Sequence, residues 1–385
     1  MNIIHICLAC FYVEGWGYQE NILPRIHMEM GNKVTVLTSD YAFNTKYGAT
    51  VKENKDYYNE AGIHVKVLDR KRVLGREWYG AFGGIYENLE ELNPDVIFVH
   101  GGQFVSLKDV INYCKQHPEV KMYIDQHGDY YNMPVGNWDQ KVSQKLIYGH
   151  YIRKAVKYTS KFWGVTPWRC QYLNDIYGVP KNKIDLLVMG ADDEKIHFDQ
   201  MPELRDKIRN ELGLQKDDFV VITGGKIDRT KNIHLLMQAV AELNQEHLKL
   251  VVFGQPNDDM KAEIDALSKD AHICNIGWLD SALVYDYFLA SDLVVFPGTH
   301  SVLWEQACGC GIPVVVKDWE GMHHVDLGGN CIFLKQDSVQ EMKDVLLRIY
   351  HDHDAYEKMK KVAVEQGIPT FSYKEIAKRA IGIEN

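Results

Sequence analysis

The sequence predicts an α/β protein made of two doubly wound, parallel-sheet domains in series. Three observations carry that expectation. Short apolar runs rich in β-branched residues recur at 3–8, 34–37, 96–99, 122–124 and 162–165, then at 219–222, 250–253, 273–276, 293–296 and 314–316. Near-continuous runs of this kind suit strands buried on both faces of a parallel sheet. Amphipathic helical stretches alternate with them, as βαβ units require. Finally, 385 residues is long for a single core, so two domains are expected.

A polar stretch from Asp192 to Asp218 separates the two series of strands and contains Pro202 and a charged helical segment, Leu204 to Leu212. It places the boundary near residue 195, giving a first domain of 1–194 and a second of 195–370. In doubly wound domains, ligands bind at the carboxyl ends of strands. A cleft between two such domains is the expected active site.

Net charge is −10, with 46% hydrophobic and 25% charged residues. A broad basic face for nucleic acid is not expected from that balance. The N-terminal run Met1 to Leu8 lacks a basic region and enters the fold pattern directly, so neither a signal peptide nor a transmembrane segment is predicted. Eight cysteines in a chain of this size do not make a disulfide framework. A reduced, cytoplasmic protein is expected. Peripheral membrane contact through a partly basic helix stays open. Cys7-Leu8-Ala9-Cys10 and Cys308-Gly309-Cys310 read as packing cysteines, and His351-Asp352-His353-Asp354 as solvated surface.

The first strand leads into a turn with Gly15 and Gly17, where a helical spacing begins near Tyr18. Glycines there permit close backbone approach by a ligand or simply a strand-to-helix turn. The third glycine of a dinucleotide fingerprint is absent. After a later strand comes Asp125-Gln126-His127-Gly128. Its position makes His127 a candidate for contact with a sugar hydroxyl. Aromatics at Trp78-Tyr79, Tyr130-Tyr131 and Trp138 fit either a sugar platform or ordinary packing.

The second half opens on Val221-Ile222-Thr223-Gly224-Gly225-Lys226, followed by Arg229 and Lys231 before a helix with Ile233, Leu236, Val240 and Leu243 on one face. Cations beside a helix N-terminus oppose its dipole unless an anion sits there too, which points to a diphosphate. Exposed basic residues on a loop are the alternative. No Walker A loop is present. Further on, Gly277-Trp278-Leu279 follows a strand and could read a base edge, or Trp278 could be core. Near residue 300 the order strand, glycine-containing loop, helix places Glu305 in the first helical turn. Backbone N–H groups at such a helix start can hold phosphate, and the carboxylate can accept from a ribose diol. The other reading is a βαβ unit with a solvent-facing Glu.

In their order along the chain, these runs resemble the family-4 retaining glycosyltransferases of the GT-B fold. Lys226 stands where that family has Arg, Lys231 where it has Lys, and Asn232 where it has Gly. Gly277-Trp278-Leu279 is similar to its base-reading turn. Ala290-Ser291-Asp292-Leu293 to Pro297 is similar to its A-D-x-x-[VL]-x-P-S strand, and Glu305-Gln306-Ala307 to Val315 to its E-A-x-A-x-G-x-P-V-V run. Met189-Gly190-Ala191-Asp192 and Phe371-Ser372-Tyr373 resemble the segments flanking the second domain. The resemblance implies two Rossmann-like domains facing across a cleft, with 371–385 crossing back onto the first.

It also implies roles. Lys226 and Lys231 would neutralise the departing diphosphate, and Glu305 would hold the ribose. Amides near Ser301 and Val302, with Gly225, would meet phosphate, while Trp278 and Leu279 would meet the base. Gly15 and Gly17 would let the first domain close on the donor, and His127 would contact the transferred sugar. The implied activity is metal-independent, retaining transfer of a hexose from a nucleoside diphosphate sugar. A UDP-sugar is the favoured donor, and no cofactor is implied. The expected acceptor is a saccharide or lipid-linked saccharide of cell-surface polysaccharide or glycolipid synthesis. One departure stands out: the family's Glu-x7-Glu lacks its first Glu, because eight residues before Glu305 lies Pro297 and the loop 298–300 holds no carboxylate. His300 or Ser301 could substitute. A noncatalytic nucleotide-sugar-binding protein and a GT-B-fold epimerase are the alternatives.

Overall fold

The computed structural model describes residues 1–10, 12–15, 17–44, 48–51, 54–73 and 76–383, with backbone alone at 41–44, 48–51, 73, 76–79 and 139. The chain divides into two compact units, residues 1–188 with 376–385, and residues 189–375.

The first unit holds a sheet of β1 (Asn2–Cys7), β2 (Lys33–Ser39), β3 (Asp56–Tyr58), β4 (His64–Leu68), β5 (Val96–His100), β6 (Lys121–Gln126), β7 (Thr159–Gly164) and β8 (Ile184–Leu186). Their spatial order is β8-β7-β6-β5-β1-β2-β4-β3. All neighbours run parallel except the edge pair β3 and β4. The central strands β1 and β5 are buried along nearly their whole length, which explains their unbroken apolar character. Two antiparallel hairpins stand apart from this sheet, Tyr41–Asn44 with Gly48–Val51 and Arg70–Val73 with Arg76–Phe82.

The second unit is wholly parallel: β9 (Phe219–Gly224), β10 (Leu248–Phe253), β11 (Ile273–Gly277), β12 (Leu293–Phe296), β13 (Val314–Lys317) and β14 (Cys331–Leu334). Their order, β11-β10-β9-β12-β13-β14, reverses direction between β9 and β12. That reversal is the switch point at which such sheets bind ligands. The helix Ile233–Leu243 buries Ile233, Leu236, Met237 and Val240 in a core with Val221, Leu250, Val252 and Leu293. Full burial of each aliphatic side chain contributes about 1.5–3 kcal/mol.

Two of the motif segments prove to be anchors of this unit. Asp292 Oδ2 accepts from Arg209 Nη2 at 2.7 Å and from the Val220 N–H at 2.7 Å, and Asp292 Oδ1 also accepts from Arg205. The acidic residue thereby ties helix Met201–Glu211 to the sheet. Ala191 donates its N–H to Phe371 O at 2.8 Å and accepts from Tyr373 N–H at 3.2 Å, and Ser372 Oγ donates to Asp193 at 2.6 Å. These bonds strap 189–193 to 371–374. The units therefore divide at 188/189 and 375/376, a few residues from the sequence-based boundaries at 194/195 and 370/371. In the first unit, Trp163 Nε1 donates to Ala380 O at 3.1 Å, so the chain's last described residues return there.

Candidate active site

At the switch point of the second unit, β9 ends in Gly224 and β12 in Phe296. The loops that follow surround a small cavity of about 20 Å³ whose walls include Gly225, Lys226, Lys231, Gly298, Ser301 and Trp304. Gly225 takes φ +102°, a conformation that L side chains rarely adopt. Lys226 is largely exposed, and its Nζ lies 3.2 Å from Asp228 Oδ2. Lys231 Nζ donates to Thr299 O at 2.7 Å and His300 O at 3.2 Å. Burial lowers its pKa, with Lys226 pushing the same way and Asp228 opposing. A third ammonium proton is left for a ligand.

Two residues fix how the loops meet. Asn232 sits at φ +55°, in the left-handed region where Gly or Asn is favoured. Its side chain donates to Pro297 O at 3.1 Å and Asp337 Oδ1 at 2.8 Å. Gly298 passes so close to the preceding loop that a Cβ there would lie 2.3 Å from Lys231 Cα. The 297–302 loop then enters helix Leu303–Gly309, whose first turn leaves backbone N–H groups without intrahelical acceptors.

Glu305 does lie in the first turn of this helix, but it is fully buried, so it is not the solvent-facing carboxylate of the alternative reading. His300 Nε2 and His324 Nε2 both donate to its Oε1, each at 2.9 Å. Burial alone would raise its pKa; the two histidines outweigh that and hold it at about 2. The second oxygen, Oε2, has no partner, nor do His324 Nδ1 and Trp304 Nε1. A ring nitrogen of His300, one of His324 and a carboxylate oxygen of Glu305 lie within 4.8 Å of one another, and hydrogen bonds already link both rings to Glu305. In this arrangement the ribose could reach Glu305 only through movement of its neighbours. His324 escaped the sequence reading because it lies nineteen residues downstream of Glu305 in a segment without motif.

Gly277 closes β11 at φ +68° and accepts from Gly254 N–H at 2.6 Å. Trp278, next in line, is 66% exposed, so it is not core. Leu279 is half-buried and Val302 likewise.

In the first unit, Gly15 has φ +79°, and nothing lies within 4 Å of where a Cβ would stand on Gly15 or Gly17. His127 follows β6 and is 29% exposed, with Nε2 at 3.0 Å from Asp125 Oδ2. Burial disfavours its charge, but Asp125 and Glu20 prevail and raise its pKa. Asp125 is buried and also meets His100 Nδ1 at 3.1 Å and the Gly101 N–H at 2.9 Å. Tyr131 and Trp138 are exposed, whereas Tyr130 packs on Trp168 and Tyr172. The side chains of Trp78 and Tyr79 lie outside the described residues. Among the described residues, no helix is long and apolar enough to cross a membrane.

Residues 205–366 match the family described as glycosyl transferases group 1. The D-inositol 3-phosphate glycosyltransferase 1 of Catenulispora acidiphila is 31% identical over 163 residues, covering 38% of this chain and 38% of that protein. The chain thus spans less than two fifths of that curated relative's length. Among solved structures, Anabaena Alr3699/HepE in complex with UDP aligns with a TM-score of 0.69 at 16% identity, over 98% of each chain. WaaG, a glycosyltransferase involved in lipopolysaccharide biosynthesis, aligns with a TM-score of 0.63 at 15% identity, over 98% of this chain and 100% of that one. At such identities the likeness bears on fold, and the fold is GT-B, with two Rossmann-like domains.

Proposed function

We propose that this chain is a glycosyltransferase that moves a sugar from a nucleoside diphosphate sugar to a hydroxyl acceptor. The observation that carries the reading is the convergence of Lys226 and Lys231 on one pocket at the switch point of the second unit, beside a helix start. The match of residues 205–366 to group 1 glycosyl transferases covers the same pocket. In this account the diphosphate lies against the two lysines and the amides of Ser301 and Val302, and the base lies toward Trp278 and Leu279. As the sugar–phosphate bond breaks, negative charge grows on the diphosphate. The Lys231 ammonium, already fixed there by Thr299 O and His300 O, stabilises that charge without reorganising, and the more exposed Lys226 adds to it.

The donor is a UDP-sugar in this reading, by analogy with the UDP held by Anabaena HepE. Transfer proceeds with retention and without a metal, because lysines supply the charge a divalent ion supplies elsewhere. His127 contacts the transferred sugar, and His300 or Ser301 stands in for the absent first carboxylate. A cytoplasmic location and an acceptor from cell-surface polysaccharide or glycolipid synthesis complete the proposal. A second reading, a nucleotide-sugar-binding protein without turnover, draws on the lack of any carboxylate in loop 298–300.

Incubating the full-length chain with a UDP-sugar panel and a pooled saccharide acceptor tests both. Transfer, or slow donor hydrolysis, that persists in EDTA and gives the α-product from an α-donor supports the proposal. Donor binding without UDP release supports the second reading.

A further inference from the structure

A line of buried histidines runs across the first unit, behind His127. His5 lies on β1, His100 on β5 and Asp125 on β6, three adjacent strands. His5 is in register with Phe98, and His100 with Asp125. Because side chains alternate along strands, Phe98 and His100 point to opposite sides of β5 from Val99, and His127 continues the two-residue step beyond Asp125. Helix Gln19–Glu29 adds His27. All of His5, His27, His100 and Asp125 are fully buried.

The hydrogen bonds connect end to end. His27 Nε2 lies 2.8 Å from Ala377 O. His27 Nδ1 lies 3.0 Å from His5 Nε2, and His5 Nδ1 lies 3.0 Å from His100 Nε2. His100 Nδ1 lies 3.1 Å from Asp125 Oδ2, which His127 Nε2 approaches to 3.0 Å.

The two ends dictate how many protons lie between them. A carbonyl only accepts, so His27 carries its proton on Nε2. A neutral His27 then accepts at Nδ1, which requires His5 to donate from Nε2 and accept at Nδ1. His100 must donate from Nε2 to His5. An ionised carboxylate also only accepts, so His100 must donate from Nδ1 as well. Three imidazoles therefore hold four ring protons, and the surplus one sits on His100.

We propose that His27, His5 and His100 are positioning residues for His127: they keep an imidazolium against Asp125, and Asp125 holds the His127 ring with Nε2–H inward. Nδ1 is then the ring nitrogen offered to a ligand. The cation on His100 also offsets the charge of Asp125, so His127 is less basic than a histidine facing a lone buried carboxylate. The proposal rests on His127 acting at the donor sugar, but the count of four ring protons follows from the hydrogen bonds alone, and the carboxylate of Asp125 places the surplus one on His100, the ring it touches. Burial, then His27 and His100, lower the pKa of His5, and burial foremost brings that of His27 to about 4. For His100, burial opposes the charge, yet Cys7 and Asp125 outweigh it and raise the pKa to about 9.

Other titratable groups face this line. Cys7 and Glu20 favour the cation on His100. Glu20 favours, and Arg169 opposes, that on His127. Cys10 feels Asp125, and Arg169 is itself paired with Asp129 at 3.3 Å. None of these replaces His5 as the acceptor for His100 Nε2–H.

The test is a ¹⁵N imidazole NMR titration of the full-length chain without substrate. At pH 7, His5 and His27 should be neutral Nε2–H tautomers and His100 protonated on both nitrogens. In His5→Leu, His100 loses its acceptor and its surplus proton, Asp125 is left uncompensated, and the His127 midpoint should rise by about one unit. His5→Gln, whose amide both accepts and donates, should return it toward wild type. A neutral His100 in the wild-type spectrum, or an unmoved His127 midpoint in a folded His5→Leu, would overturn the proposal. If His5→Leu does not fold, the wild-type tautomers decide. A relay confirmed by NMR in a chain with no transferase turnover would discredit the functional reading and leave the relay intact.

Discussion

Lys231 Nζ donates to the carbonyls of Thr299 and His300, so it both braces the second loop and presents charge to the pocket. Lys226 lacks that bracing and is mostly exposed. Of the two, Lys231 is the preorganised one, and its loss should hurt catalysis more. Lys231→Ala should lower kcat/KM by ~100-fold or more, the scale of removing one fixed donor from a developing charge; an unchanged rate would remove Lys231 from the mechanism. These two lysines were legible in the sequence because a strand-to-helix loop with clustered cations is an electrostatic conflict that an anion resolves. The surroundings of Glu305 were not legible. Its place at the start of the helix could be read from the order of elements, but the direction of its carboxylate depends on His324, which tertiary structure alone brings within 2.9 Å.

Among the elements, the loop after β12 matters most, because it is short and pressed against the loop after β9. A Cβ on Gly298 would meet Thr230 O and Lys231 Cα, both at 2.3 Å. Backbone on both sides leaves no flexible side chain to yield. Gly298→Ala should therefore part the loops, weaken UDP binding at least tenfold, and lower the unfolding midpoint by a few degrees; a variant that binds UDP like wild type would show that the loops tolerate separation. The strands that carry the histidine line give a pH signature. The pKa of His100 is raised to about 9 from an unfolded value of about 6.5. Its contribution to stability is fully present below pH ~6.5 and is lost as pH rises toward 9. Urea unfolding of wild type and His100→Gln should thus show a difference that shrinks between those pH values, and a difference constant across them would contradict a cationic His100.

For the molecule as a whole, strands central to each sheet announced themselves as apolar runs because both faces are covered. The edge strands Asp56–Tyr58 and Ile184–Leu186, and His64–Leu68 beside the first of them, did not, since they are short and partly exposed. Two-unit organisation was legible from the change in composition after Asp192, and the closing bonds between 189–193 and 371–374 explain why the units divide where they do. With sixteen histidines in the chain, none of residues 5, 27 and 100 could be singled out before the register of β1, β5 and β6 placed them in one line. In the proposed function, the second unit's pocket binds a nucleoside diphosphate sugar through its diphosphate. Calorimetric titration of the full-length chain with UDP, UDP-glucose, uridine and NAD, with EDTA present, tests it most directly. UDP and UDP-glucose should bind saturably, uridine should lose most of that affinity, and NAD should not bind. Equal affinity for uridine and UDP, or binding of NAD alone, would contradict it.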